Sequence, residues 1–286
     1  LGSRYPASIS RLPSNSDDAS LLALLRHLAS HLPTRPAVIP TCDRNALFLA
    51  RHRAALADCC AIWETPQGLL NRIIDKQGLY ALAAERGVPV IAWHACSDTA
   101  QLQAWLSQHP GPYLMKPGYC GQDGVALTDK NRVFDTPEAM LAFLDGRSPQ
   151  GLVVQRLLQG GDGEIFDTYG YCDRQGVVRT ISTHRRWRQH PPNLGTTTYG
   201  EIPALPGAGD DAMIRKTMLL LQGLGYHGIF GIEWLRDRET GHFHVLDFNA
   251  RPFSSIGHLV DCGVNLPWIA CRELLGDRLQ VLEFFR

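Results

Sequence analysis

The chain has 286 residues, of which 44% are hydrophobic and 20% are charged, and its 28 lysine and arginine residues balance 28 aspartate and glutamate residues. This composition is typical of a globular enzyme with a substantial core. The zero net charge gives no electrostatic reason to expect a nucleic-acid partner or an anionic membrane surface. No apolar run approaches the ~18 residues of a membrane span, so we expect no membrane partner either.

The cysteines indicate a reducing environment. Eight of them are spread from Cys42 to Cys271 without a CxxC pair, and their spacing matches neither a zinc site nor a compact disulfide framework. We therefore expect free thiols and a cytoplasmic location. The sequence begins at Leu1 without a signal-peptide pattern, and we expect that its beginning is missing or processed.

The first part of the chain is predicted to be α/β. Apolar residues recur at helical spacing over 20–32 and 45–58, and the short apolar run between them, 35–41, predicts a buried strand. The segment PTCDRN after this run is predicted to form a strand-to-helix loop, which is the usual position of ligands in such sheets. A further amphipathic helix is predicted after Asp75.

The rest of the chain is predicted to alternate short strands with helices and then to form hairpins. A strand over 112–117 is followed by a glycine-rich turn at 118–124 and a second short strand, VALTD. From Gly163 onward two hairpins are expected, with turns at Asp173–Gly176 and Asp237–Gly241. A long loop over 188–203 and a helix over 211–224 are expected between them.

The last predicted strand, HVLDFNARPFSS, carries polar residues on one side. Strict alternation puts Val245, Asp247, Asn249 and Arg251 on the same face. Pairing through the second hairpin places Glu233 opposite Asp247 or the residue before it. Three oxygen donors would then converge, which suits Mg²⁺, beside an arginine that could neutralise phosphoryl oxygens. A solvated face of an antiparallel sheet is the alternative.

Two lysines and a glycine-rich turn could bind phosphates. Lys116 ends an apolar strand, and the backbone N–H groups of 118–124 could cover phosphates, although an ordinary hairpin turn has the same pattern. Lys76 opens a predicted helix, where a cation is electrostatically unfavourable. A surface lysine is the alternative interpretation there.

The remaining polar segments are less specific. Gln155 interrupts an apolar strand, and Asp162 and Glu164 follow a Gly-Gly turn, so this segment could hold a base and ribose or form a simple edge strand. Four Arg and His charges surround Trp187, which is compatible with nucleic acid. The zero net charge favours a small anionic substrate instead.

In their order along the chain, six short segments resemble the ATP-grasp superfamily, most of all its carboxylate–amine ligase branch with the D-aspartate ligase-like proteins. The likeness extends over roughly residues 36 to 275. The segments are DK (75–76), YLMKP (113–117), VVQRLLQGGDGE (153–164), RWRQHPP (186–192), GIFGIEW (228–234) and VLDFNAR (245–251).

The resemblance implies an ATP-grasp fold of the α/β (α+β) class. Residues 1–87 would form a partial N-terminal α/β domain without its first β-α-β segment. Residues 88–157 would form a small lid subdomain, and residues 158–286 a C-terminal subdomain with an antiparallel sheet, helices and the metal site. The glycine-rich turn would close over the nucleotide and exclude water.

The resemblance also implies a nucleotide site, position by position. Lys76 and Lys116 match the two phosphate-binding lysines, and Gln155 matches the residue that reads the adenine amino group. Asp162 falls where the ribose-binding carboxylate is expected, with Glu164 as the alternative. Three consecutive residues match the hinge that contacts adenine through its backbone: Arg156, Leu157 and Leu158.

For the metal and the substrates, the resemblance implies three further groups of residues. The magnesium ligands would be Glu233, Asp247 and Asn249, although the family usually has Glu where this chain has the shorter Asp247. The catalytic residues would be Arg251, Lys116 and Arg188. The substrate-binding residues would be Arg186, Arg188, Ser254 and Ser255.

The activity implied is an ATP-dependent ligation of a small-molecule carboxylate to an amine. The carboxylate would be phosphorylated by ATP to an acyl phosphate, with ADP as product and two Mg²⁺ ions as cofactors, and the amine would then displace phosphate. A homodimer is compatible with this reading. The alternatives are other ATP-grasp chemistry, such as carboxylation or a small-molecule kinase, and a non-catalytic nucleotide-binding module.

Overall fold

A computed structural model describes residues 9–10, 17–118, 131–158, 160–203 and 208–277. The predicted glycine-rich turn, apart from Gly118, and the strand VALTD lie outside the described residues. Two antiparallel sheets organise the described chain, one of four strands and one of five. Within the described residues, no helix is long and apolar enough to cross a membrane.

Helices dominate the N-terminal part. The predicted strand over 35–41 is wrong: only an isolated parallel bridge joins Ala37 to Ala61. Its two prolines supply no N–H donors, so the run cannot build a ladder. The helices are α1 (Asp18–Ser30), α2 (Asp43–Arg51), α3 (Arg53–Leu56), α4 (Gln67–Ile74) and α5 (Lys76–Glu85).

The four-stranded sheet follows, in the order β1-β4-β2-β3. Its two helices begin at side-chain caps, since Asp98 accepts from the N–H of Gln101 and Thr136 from that of Ala139. Both helices contribute to one apolar cluster with the sheet. The elements are β1 (Trp93–Ala95), α6 (Thr99–Gln108), β2 (Tyr113–Pro117), β3 (Arg132–Phe134), α7 (Pro137–Leu144) and β4 (Leu152–Arg156).

The five-stranded sheet has the order β7-β6-β5-β8-β9, and both predicted hairpins are confirmed. The loop expected over 188–203 is wrong, because its threonine-rich part, Thr196–Glu201, pairs with the preceding strand. The elements are β5 (Ile165–Cys172), β6 (Val178–His190), β7 (Thr196–Glu201), α8 (Ala208–Leu221), β8 (Gly228–Arg236), β9 (Phe243–Asn249), α9 (Ile256–Asp261) and α10 (Leu266–Leu274).

The two faces of the five-stranded sheet have different environments. One face packs against α4, α5 and α8 and forms the largest core cluster, around the fully buried Trp234. On the other face, Tyr169 and Tyr171 pack against α9 and α10. Two residues before Tyr169 this face becomes polar, at Asp167, and beyond it a small apolar cluster forms around Ile165. A polar band therefore separates two apolar clusters on this face.

A β-bulge corrects the alternation predicted for β9. Glu233 pairs with Asp247, one of its two predicted partners, but Trp234 pairs with Val245, so Leu246 is an extra residue. Val245 therefore packs in the largest core cluster, away from the face of Asp247, whereas Leu246 joins the small apolar cluster on the polar side. The bulge leaves Asp247 in the polar band and directs its apolar neighbour to the edge of that band.

Candidate functional site

Three carboxylates lie side by side on adjacent strands. Asp247 on β9 is opposite Glu233 on β8, and Glu233 is opposite Asp167 on β5. His184 on β6 continues this row on the other side of Asp167. We call Asp247, Glu233 and Asp167 the carboxylate row. The Cβ atoms of residues directly opposite each other lie about 5 Å apart, and like charges at this distance are destabilising. The carboxylate row therefore requires cations.

Arg186 supplies the first of these cations. Its Nε donates to Asp167 Oδ2 at 2.9 Å, its Nη2 donates to Asp167 Oδ1, and Nη2 also lies 2.9 Å from Glu233 Oε1. His184 Nδ1 is 2.8 Å from the same Asp167 Oδ2. Burial acts to raise the pKa of Asp167, but the charges and hydrogen bonds of Arg186 and His184 lower it to about 2. Asp167 is therefore a buried carboxylate that stays ionised near neutral pH.

Lys76 supplies the second cation. It opens α5, whose N-cap Asp75 accepts from the N–H of Gly78, and its Nζ lies 3.3 and 3.4 Å from the two oxygens of Asp247. Burial acts to raise the pKa of Asp247, but Lys76 and then Lys116 outweigh it, so the pKa is lowered. Both predicted phosphate-binding lysines are therefore near Asp247, whose side chain is one third exposed.

Tyr80, a residue that the sequence analysis missed, joins the predicted lysines to the predicted adenine-reading residue. Its hydroxyl accepts from Lys116 Nζ at 2.6 Å, donates to the carbonyl of Leu246 at 2.9 Å and lies 3.3 Å from Gln155 Oε1. Burial raises the pKa of Tyr80 well above its usual value, so the phenol stays neutral. Tyr80 follows Lys76 by four residues in a predicted helix, and this spacing was the available signal.

Arg251 connects the metal-ligand candidates to the N-terminal helices. Its Nη2 donates to Asn249 Oδ1 at 3.0 Å, and its Nε donates to Asp43 Oδ1 at 2.9 Å. The amide of Asn249 in turn donates to Glu233 Oε1 at 3.2 Å. Asp43 begins α2 within the PTCDRN segment, so the loop predicted to meet a ligand does reach this site, although Asp43 itself was not predicted.

Ser255 is linked to the same site through Tyr169 and His184. Its hydroxyl lies 2.8 Å from the hydroxyl of Tyr169, which is 3.4 Å from His184 Nδ1. Phe253 stacks on Tyr169 with ring centroids 3.8 Å apart, and a Cβ at Gly231 would lie only 2.9 Å from the Phe253 ring. The glycine in β8 therefore gives the loop after Arg251 room to settle onto the sheet. Tyr169 and His184 were not predicted, and the alternation of side chains along β5 and β6 was the available sequence signal for them.

Several predicted residues are not brought to the carboxylate row. Asp162 holds the segment after β6, since its Oδ1 accepts from Gln189 Nε2 at 3.1 Å and from the N–H of Asn193 at 3.0 Å. Glu164 pairs with Arg236 at 2.7 Å and with Arg238 at 3.4 Å. The side chains of three others are exposed: Arg156, Arg188 and Ser254.

The predicted hinge residues lie at one end of the polar band. The N–H groups of Arg156 and Leu157 donate to the carbonyls of Ala92 and Pro112, at 3.0 and 2.8 Å. Leu158 packs against the small apolar cluster that contains Leu246. An apolar surface of this kind beside Gln155 suits a flat heterocyclic ring.

The donors available to a cation are hard oxygens. Within the described residues, no three His, Cys, Asp or Glu side chains are placed to hold a metal ion. Glu233 and Asp247 are 24% and 33% exposed, and in the described part of the chain nothing donates a hydrogen bond to Glu233 Oε2. With the Asn249 amide, this set fits a cation that completes its shell with phosphate and water, as Mg²⁺ does.

The burial of Arg186 leads to a prediction about stability. Arg186→Met should lower the free energy of unfolding by about 3–5 kcal/mol, because Asp167 is left as a buried charge with one partner fewer. Arg188→Met, on the exposed side of the same strand, should change it by about 0.5 kcal/mol at most. Urea denaturation of both variants measures the difference, and equal small effects would contradict the buried ion pair.

Comparisons with known proteins bear on the fold. No protein-family model matches the chain. Phosphoribosylamine–glycine ligase of Streptococcus pneumoniae is 24% identical over 184 residues, which are 58% of this chain and 41% of that enzyme. This likeness alone is too distant to assign an activity.

Solved structures match most of the chain. L-amino acid ligase from Bacillus licheniformis has a TM-score of 0.68 and 17% identity and covers 93% of this chain and 62% of its own. N5-carboxyaminoimidazole ribonucleotide synthetase from Thermus thermophilus has a TM-score of 0.68 and 17% identity, over 92% and 66%. Biotin carboxylase from Campylobacter jejuni has a TM-score of 0.69 and 15% identity, over 92% and 58%.

The chain spans between 41% and 66% of the length of these relatives. At such identities the likeness shows the fold, which is the one that the ATP-grasp ligases and carboxylases share. The mixed helices and antiparallel sheets described above agree with it, and the resemblance inferred from the six sequence segments is confirmed at this level: the chain has an ATP-grasp fold.

Proposed function

We propose that the chain is a magnesium-dependent, ATP-consuming ligase that joins a small-molecule carboxylate to an amine through an acyl phosphate. The observation that carries the proposal is the open pair Glu233 and Asp247, facing Lys76 on one side and flanked by Arg251 on the other. Oxygen donors beside two cations, without a nucleophile between them, suit phosphoryl transfer, which needs positioning and charge neutralisation.

The nucleotide would lie along the polar band. Leu158 and the apolar cluster around it would contact the adenine ring, and Gln155 would read its amino group. Lys76 and Lys116 would bind the phosphates, reaching them from opposite elements, α5 and β2. To bind the ribose hydroxyls, Asp162 or Glu164 would have to release one of the hydrogen-bond partners that it has in the structure. Asp162 would lose less binding energy, because its donors are mostly neutral, whereas Glu164 is paired with Arg236.

Glu233, Asp247 and Asn249 would hold the magnesium ion. When bound, the ion neutralises charge on the phosphates of ATP. In the structure Asp247 is engaged by Lys76 at 3.3 Å, which is a long contact that can be given up when phosphates take over Lys76. The oxygen of Asn249 is engaged by Arg251 at 3.0 Å, so both of these donors must release a protein cation to serve as ligands.

Arg251 would meet the transferring phosphoryl group. A carboxylate oxygen of the first substrate attacks the γ-phosphorus, and the bond from that phosphorus to the ADP oxygen breaks. The amine then attacks the acyl carbon, phosphate leaves, and the amine proton passes to solvent. Arg251 would exchange its ion pair with Asp43, at 2.9 Å, for the developing negative charge on the phosphoryl oxygens.

The acceptor pocket would lie between the loop after Arg251 and the N-terminal helices. Ser254 and Ser255 belong to this loop. Arg188 is exposed and does not belong to the buried cluster that contains Arg186. We therefore assign direct substrate contact to Arg188 and a positioning role to Arg186. Two magnesium ions, a homodimer, a cytoplasmic location and the three-part division of the chain remain predictions.

A second candidate is carboxylation through carboxyphosphate, because biotin carboxylase is among the proteins with this fold. The two reactions would use the same nucleotide and metal sites and differ in the acid that ATP phosphorylates, which is a substrate carboxylate in the ligase and bicarbonate in the carboxylase. Incubating the chain with ATP, magnesium chloride, bicarbonate and amino acids in pairs, and analysing products by mass spectrometry, separates them. An amide product supports the ligase, whereas a carboxylated or phosphorylated acceptor would replace it.

Asp247→Asn should reduce ADP release at least about 100-fold, because the neutral amide is a poorer ligand for magnesium and a poorer partner for Lys76. The substitution is nearly isosteric, so the thermal unfolding midpoint should shift little. Asp261→Asn, the same change on the exposed surface of α9, is the matched control and should release ADP like the wild type. Wild-type turnover by Asp247→Asn would refute the assignment.

Arg251→Ala should lower kcat by about 100- to 1000-fold, as expected when a donor to developing transition-state charge is removed. The KM for ATP should change much less, because the proposed contact strengthens only as the phosphoryl group is transferred. Steady-state kinetics of Arg251→Ala and of Arg147→Ala, an exposed arginine after α7, make the comparison. A loss confined to KM would contradict this role.

A further inference from the structure

Beside the proposed metal site, on the neighbouring strands β5 and β6, lies a buried ion cluster that the reaction does not use. Asp167 and His184 have no exposed surface, and Arg186 is 8% exposed. Charges buried this deeply are costly, and well-packed apolar side chains commonly give equal or greater stability in their place. Stability alone therefore does not explain this cluster, whereas its position next to Glu233 on the adjacent strand suggests a role at the site.

The cluster orients one oxygen of Glu233. The guanidinium of Arg186 is planar, and Asp167 accepts from both Nε and Nη2, so the plane and the position of Nη2 are set. Nη2 then fixes Glu233 Oε1 at 2.9 Å, and the amide of Asn249 donates to the same oxygen at 3.2 Å. Because Oε1 of Glu233 has two partners, Oε2 is the oxygen that remains available to a cation.

Asp167 also limits how strongly Arg186 can neutralise Glu233. The buried carboxylate of Asp167 accepts two hydrogen bonds from the guanidinium, whereas Glu233 makes an ion-pair contact with Nη2 at 2.9 Å. Without the Asp167 charge, Arg186 would be free to turn its fork to Glu233 and pair with both carboxylate oxygens. Such a pair would compete directly with a metal ion for Oε2.

His184 holds Asp167 on the side away from Glu233. His184 Nδ1 lies 2.8 Å from Oδ2, and its ring stacks on Tyr169 with centroids 5.4 Å apart. Among the described residues, His184 Nε2 has no hydrogen-bond partner, so the contact with Asp167 and the packing set the orientation of the ring. A continuous series of contacts therefore runs from His184 through Asp167 and Arg186 to Glu233.

We propose that Asp167 is a positioning residue which, through Arg186, presents Glu233 Oε2 to the metal and so sets the affinity of the metal–nucleotide site. The inference rests on the proposed function. It extends the site beyond the residues that meet the ligands to a buried acid two strands away from Asp247. Residues that orient metal ligands in this way typically contribute 10- to 100-fold to metal affinity.

The test measures Mn²⁺ binding to the whole chain in the presence of saturating ADP, with free Mn²⁺ read by electron paramagnetic resonance. Asp167→Asn should weaken Mn²⁺ binding by about 10- to 100-fold. ADP affinity without metal should stay within about 2-fold, because Asp167 has no exposed surface with which to contact the nucleotide. A variant damaged only in its folding would lose both affinities together.

The matched control is Asp173→Asn at the opposite end of the same hairpin. Asp173 is also buried, pairs with Arg179 at 2.5 Å and accepts from the N–H groups of Gln175 and Val177, but it makes no contact with Glu233. It should lose stability and keep wild-type Mn²⁺ affinity. Arg186→Lys is the second variant: it keeps the charge, cannot form the fork, and should weaken Mn²⁺ binding in the same way.

The possible outcomes separate the inference from the proposed function. Unchanged Mn²⁺ affinity in folded Asp167→Asn or Arg186→Lys overturns the positioning role, as does an equal loss in Asp173→Asn. A wild-type chain that binds ADP no better with Mn²⁺ than without it would overturn the proposed function, and the inference with it. Weaker Mn²⁺ binding in Asp167→Asn and Arg186→Lys alone supports the inference.

Discussion

The rest of the site depends on the repulsion within the carboxylate row. Asp247, Glu233 and Asp167 lie on three adjacent strands, and such a row is tolerated only where cations reach it. Arg186 comes from the neighbouring strand, whereas Lys76 comes from a helix of the N-terminal part. The site is thus completed by docking that helix onto the sheet, and the cations that stabilise this arrangement are the ones that would attract phosphates.

Part of this arrangement could be predicted because it is local. A tight hairpin fixes the register between its strands, so counting through the turn could place Glu233 against Asp247 or its neighbour Leu246. Alternation put Asp247 and Asn249 on one face, and the position of Lys76 in a helix first turn marked it as unusual. In each case a short-range rule of backbone geometry was sufficient.

The rest could not be predicted because tertiary contacts decide it. The bulge at Leu246 shifts Val245 into the core, and no single residue in β9 signals it. Asp167 stands alone in an apolar strand, so its partners become visible only when β6 pairs beside it. Arg251 meets Asp43 across 208 residues of sequence, a separation at which patterns carry no information about contact.

The central claim is that ATP activates a carboxylate by phosphorylating it at this site. The most direct measurement supplies amino acids labelled with heavy oxygen in the carboxylate, together with ATP and magnesium, and follows the label in the released phosphate by mass spectrometry. An acyl phosphate transfers one labelled oxygen to phosphate for each amide formed. Amide formation with unlabelled phosphate, or ATP hydrolysis that leaves all label in the amino acid, would contradict the account.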